Sequence, residues 1–167
     1  MEPSHSNLQE GMDAGIIGGL TVAVWFLILD VIAGRPFFTP SVLGQIVIFG
    51  ADEPQMAPPL FGAILLYTVL HFFVFTLFGI LVAKLVHLAV ESPLWRYGLL
   101  SLFVVFELTF YNVMYLMFEA TRELFPFWAV LIANTLAAVA MGIYFWKKHP
   151  ALRQSLQEVP LGAAPPR

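Results

Sequence analysis

The chain has 167 residues, of which 59% are hydrophobic and only 11% charged, with a mean hydropathy of +0.82. Soluble globular chains carry roughly 25% charged residues, so this composition argues for a protein dissolved in a bilayer. The absence of cysteine rules out disulfides, thiol catalysis, thiolate-held zinc and iron–sulfur clusters, and a net charge of −3 leaves no footprint for nucleic acid.

In chain order, a polar segment at 1–12 is expected on the cytoplasmic side. A first apolar span follows near 13–34 and stops at Gly34, Arg35 and Pro36. Glu2, Glu10 and Asp13, with no Lys or Arg before Arg35, mark this stretch as a retained span and not a cleaved signal, which needs a basic start. Residues 35 to 59 form a long connection whose middle is apolar. Thr39 is the expected N-cap, with Pro40 in the first turn, and Val42, Leu43, Ile46, Val47 and Phe49 make a short helix ending near Gly50. About ten residues are too few to cross a bilayer, so this helix is expected to lie in the outer interface or to re-enter the bundle, as a cover or as a lid.

The second span is expected near 60–88, beyond Pro58 and Pro59, and a tight link at Ser92 and Pro93 follows it. The third, near 95–118, opens on Trp95, Arg96 and Tyr97, and the fourth, near 126–146, runs into Tyr144, Phe145, Trp146, Lys147 and Lys148. Such aromatic and basic collars sit at headgroup level. Together, 13–150 reads as one all-α, four-helix transmembrane domain, and 151–167, with its prolines and small residues, as a flexible cytoplasmic tail. Lys84, Arg96, Lys147, Lys148, Arg153 and Arg167 fall on the side of the termini, against Arg35 and Arg122 on the other. That bias places both termini in the cytoplasm, with an inner membrane of bacterial type as the expected setting.

Each span holds one strongly polar residue: Asp30, His71, Glu107 and Asn134. An Asp at the centre of a membrane helix costs about 2.5–3.5 kcal/mol on insertion scales, so these groups are expected to face inward and find partners. At about 100° per residue, Asp30 shares a face with Gly15, Gly19 and Ala23, a stripe of small residues suited to close helix packing. Glu107 shares its face with Tyr111 and Met114, His71 with Tyr67, Phe75 and Phe78, and Asn134 with Ala138, Met141 and Gly142.

Three chemistries are open to this set. His71, Glu107 and Asp30 offer nitrogen and oxygen ligands for a metal ion such as iron, manganese or zinc. The same groups suit a relay for protons or a path for a small solute. They also suit a purely structural role, hydrogen-bonding one another to fix helix register. A b-type haem held by two histidines is not expected, because His71 and His87 share a helix while His5 and His149 lie outside the apolar core. His87, near Lys84, reads as a headgroup contact. No catalytic motif is present, and a chain of this form commonly serves as a structural or accessory subunit of a larger membrane complex. Its expected partners are the lipid bilayer and other membrane subunits or further copies of itself.

Overall fold

A computed structural model of the chain describes residues 7–91, 94–117 and 124–150. The expected flexible tail at 151–167, half of the expected polar start and the link at Ser92 and Pro93 lie outside the described residues, as does the segment 118–123 carrying Glu119 and Arg122. The described chain is all-helical: α1 (Asn7–Ile32), α2 (Phe38–Phe49), α3 (Phe61–Glu91), α4 (Leu94–Met117) and α5 (Phe127–Lys148). Among the described residues, three helices, Asn7–Ile32, Phe61–Ala89 and Phe127–Lys148, are long and apolar enough to cross a membrane. In α4 the most apolar run, Tyr97–Leu108, is shorter.

The four long helices close into a ring. α1 packs on both α3 and α5, and α4 completes the circuit by touching α3 and α5. Contacts climb one helix as they descend its neighbour: Gly11 meets Ile80, Gly15 meets Thr76 and Gly19 meets Phe72. α1 and α3 are therefore antiparallel. On the other flank the Trp25 indole donates to the Ala129 carbonyl at 3.0 Å, and Gly18 faces Met141 at the far end of α5, so this pair is antiparallel too.

The α1–α3 seam is the tightest in the ring, and small residues make it so. A Cβ on Gly79 would strike the Gly11 carbonyl and the Gly15 backbone, and one on Gly15 would strike the Phe75 carbonyl. Backbone lies against backbone, an approach that residues with side chains forbid. Gly15 and Gly19 of the expected stripe thus pack on α3. Ala23 does not share that burial and lies exposed.

α1 starts at Asn7, well before position 13, so part of the polar start is helix and Glu10 is buried in it. The short helix differs from expectation at its beginning. It opens at Phe38, after Phe37 in the left-handed conformation (φ 64°), and Thr39 is not its N-cap. Thr39 instead donates its backbone N–H to Asp30 Oδ2 and its hydroxyl to Asp30 Oδ1, both at 2.8 Å. A carboxylate from the end of α1 thereby satisfies a free N–H of α2, the task a capping side chain performs locally. α2 ends at Gly50, also left-handed (φ 66°). Residues Phe38 to Ile46 are almost all buried, and Gly44 lies against the backbone of Ala63 on α3.

The seam yields a paired test. Gly79→Leu should force α1 and α3 apart and cost at least the roughly 1–3 kcal/mol typical of overpacking. Gly142→Ala, where a Cβ meets nothing within 4 Å, should be neutral or slightly stabilising. Thermal unfolding in detergent, followed by helical circular dichroism, measures both. An unchanged midpoint for Gly79→Leu would contradict the close approach.

Candidate functional site

A cavity of about 380 Å³ lies among the helices, walled mainly by aliphatic and phenylalanine side chains. Five helices shape it: Val22 and Phe26 of α1, Leu43 and Val47 of α2, Phe72, Phe75 and Phe78 of α3, Phe106 of α4 and Val130 of α5. Polar side chains interrupt this wall at Asp30, Thr39, Tyr67, His71, Tyr111 and Asn134. Val24 and Leu27 of α1 and Val74 of α3 belong to the same wall and are exposed, so the cavity reaches the apolar flank of the molecule.

Four of the five residues of the expected polar centre, Asp30, His71, Tyr111 and Asn134, line this cavity. They do not bond to one another there. Both oxygens of Asp30 accept from Thr39. His71 Nε2 lies 3.0 Å from the Gly19 carbonyl, which can only accept, so Nε2 carries the hydrogen and Nδ1 is the acceptor of the neutral ring. That ring is wedged among Tyr67, Phe72 and Phe75, with centroids 5.9, 5.5 and 4.7 Å away. Asn134 turns away from the others and donates to Glu107 Oε2 at 3.3 Å. Glu107, the fifth residue, is buried beside the cavity, and its Oε1 has no hydrogen-bond partner among the described residues. The Tyr111 ring packs edge-on against Phe127 at 4.7 Å. Asp30, His71 and Glu107 are thus engaged at three separate places and do not meet as ligands of one ion.

A different constellation does meet, at the other end of the bundle. Glu10 in the first turns of α1, His87 near the end of α3 and His149 just beyond α5 converge. Glu10 Oε2 lies 3.2 Å from His87 Nε2 and 3.0 Å from His149 Nε2. The two rings stand perpendicular, with centroids 4.7 Å apart. Glu10 is only 5% exposed, and its neighbour Asp13 accepts from the Tyr144 hydroxyl at 3.2 Å, a second tie between α1 and α5. His149 is therefore part of the packed end of the bundle, and His87 is more than a headgroup contact. Sequence reasoning passed over this trio because its members stand 77 and 139 positions apart. The available signal was Glu10 itself, an acid four residues before the Ala14–Gly15 packing face and one helical turn from it.

The Asp30 contact can be tested on its own. Asp30→Ala leaves the buried Thr39 N–H and hydroxyl without their acceptor and should cost about 1–3 kcal/mol. Asp30→Asn keeps one acceptor oxygen and should lose less. Both are read as shifts in the unfolding midpoint, and protease cleavage near Arg35 should rise in the same order. Equal stability of the alanine variant and the parent would refute the capping role.

The chain matches no family model, no curated protein and no solved structure.

Proposed function

We propose that the chain crosses a membrane four times, through α1, α3, α4 and α5, and that it binds in its lateral cavity an apolar molecule bearing a hydrogen-bonding head. The observation that carries this reading is the cavity itself. Its volume falls in the roughly 300–1,000 Å³ range of small-molecule sites, and its wall combines an apolar majority with a few polar groups.

The ring supports a reading of four spans. α4 has 24 residues, about 36 Å at 1.5 Å per residue, enough for a hydrocarbon core of roughly 30 Å. It also lies between two helices that are long and apolar enough to cross. The exposed flank of α4, with Val104, Val105 and Leu108, then faces lipid or another subunit. The excess of Lys and Arg on the side of the termini supports a cytoplasmic location for both ends. In that arrangement the Asp30 end with α2 is external, and the Glu10 end is internal.

The reach of the cavity to the apolar flank favours a ligand drawn from the bilayer over one drawn from water. Tyr67 and His71 are adjacent on the wall; the Tyr67 hydroxyl can donate to a carbonyl head and His71 Nδ1 can accept from a hydroxyl head, while the phenylalanines of α3 enclose the apolar part. α2, anchored to α1 by Asp30, covers one end as a fixed lid. An accessory subunit that holds a lipophilic cofactor for a larger assembly would be built this way.

Decylubiquinone, a bilayer-soluble ring with carbonyl acceptors, is the probe. Titrated into the chain in lipid nanodiscs, it should quench Trp25, which packs beside the cavity wall, in a saturable manner with one site per chain. Thr68→Phe, which fills the wall, should weaken that binding at least about tenfold, roughly 1.4 kcal/mol, with helix content unchanged. Quenching that never saturates, or that is the same in both proteins, is partitioning into lipid and would overturn the proposal.

A further inference from the structure

We infer that Glu10, His87 and His149 form a binding site for a divalent transition-metal ion of the iron(II) or zinc(II) class, at the end of the bundle opposite α2. This inference is independent of the cavity, because no residue of the trio lines it.

The geometry carries the case. Metal–ligand distances of about 2.0–2.1 Å place neighbouring ligand atoms roughly 2.9–3.4 Å apart, from octahedral to tetrahedral arrangement. The two nitrogen-to-oxygen separations, 3.2 and 3.0 Å, are edges of that size. The three donor atoms all lie within 4.8 Å of one another, so a modest turn of one imidazole closes the remaining edge. Perpendicular rings sharing one focus are the disposition of two imidazoles beside each other on an ion.

Chemistry selects the class of ion. Two imidazole nitrogens and one carboxylate oxygen suit iron(II) or zinc(II), whereas calcium and magnesium take oxygen ligands and copper(I) prefers sulfur. Charge points the same way. Glu10 is buried, and among the described residues no Lys or Arg pairs with it; its side-chain partners there are the two histidines. Coordinated through their ring nitrogens as neutral imidazoles, the two histidines would leave the countercharge to the ion, and a dication supplies it. Three protein ligands from three helices leave coordination positions open, and the His87 side chain, one-third exposed, sets the side from which water reaches them.

The test uses the full chain without a polyhistidine tag, stripped with chelator in detergent and titrated with cobalt(II), whose visible absorption reports coordination. One equivalent should bind saturably, and zinc(II) should displace it. Losing a conserved outer partner of a ligand costs roughly 10–100-fold in affinity, so removing a ligand should cost about 100-fold or more. Glu10→Gln and His149→Asn should each show that loss with helical circular dichroism retained. X-ray absorption of the zinc-loaded parent reads the ligands directly and does not depend on any variant folding; two imidazole nitrogens are expected. Absence of saturable cobalt(II) binding by the folded parent, a ligand shell lacking imidazole, or undiminished binding by either variant would overturn the site.

Discussion

Backbone against backbone between α1 and α3 is the contact on which the other features depend. Gly11, Gly15 and Gly79 bring no side chain of their own to that crossing, and the two helices meet largely along peptide groups. Because the approach is that close, His71 on α3 reaches the Gly19 carbonyl of α1, a group already inside a helix and otherwise shielded by side chains. The same approach brings His87 to Glu10 more than four turns further along α3. Small residues also make weak contacts, so a seam of this kind gains its energy from many short-range van der Waals pairs. It tolerates little change in spacing.

Distribution of buried polar groups follows a different rule. α2 is short and largely buried, and its polar atoms would be costly without partners. Each finds one at a distance. Asp30 serves Thr39, Gln45 exchanges two hydrogen bonds with the Gln55 backbone at 3.1 and 2.8 Å, and the Ser41 hydroxyl accepts from the Leu60 N–H at 2.8 Å. The return segment from Gly50 to Leu60 is thus held to α2 by side chains of one helix face. Asp30 and His71 are occupied in these ties, which leaves the cavity with a wall that is polar at fixed points and apolar elsewhere.

The helices were legible because their apolar runs are long and are closed by Gly34, Gly50 and proline. Gly15 and Gly19 announced a packing face by spacing alone. Gly79, their counterpart, is a single small residue in an apolar run, with nothing in its own neighbourhood to mark it. Ala23 continues the stripe on paper yet lies exposed on the cavity wall. The inward direction of Asp30 was readable, but its partner was not, since Thr39 reaches it only after the chain turns through Gly34 and Phe37. Glu10 and His149 are hard to place from sequence because polarity near the ends of a span is an ordinary sign of solvent. Burial by a matching polar partner removes that sign, and only tertiary structure supplies the partner.

The union of Glu10 with His149 spans nearly the whole described chain. α1 is made before α5, and its acidic end gains His149 only after α5 has been added. A chain cut short before that point keeps an acid at the mouth of the bundle with half of its partners missing. Closure of the described bundle is thereby concentrated in a single carboxylate, which ties the first turns of α1 to two elements made later in the chain.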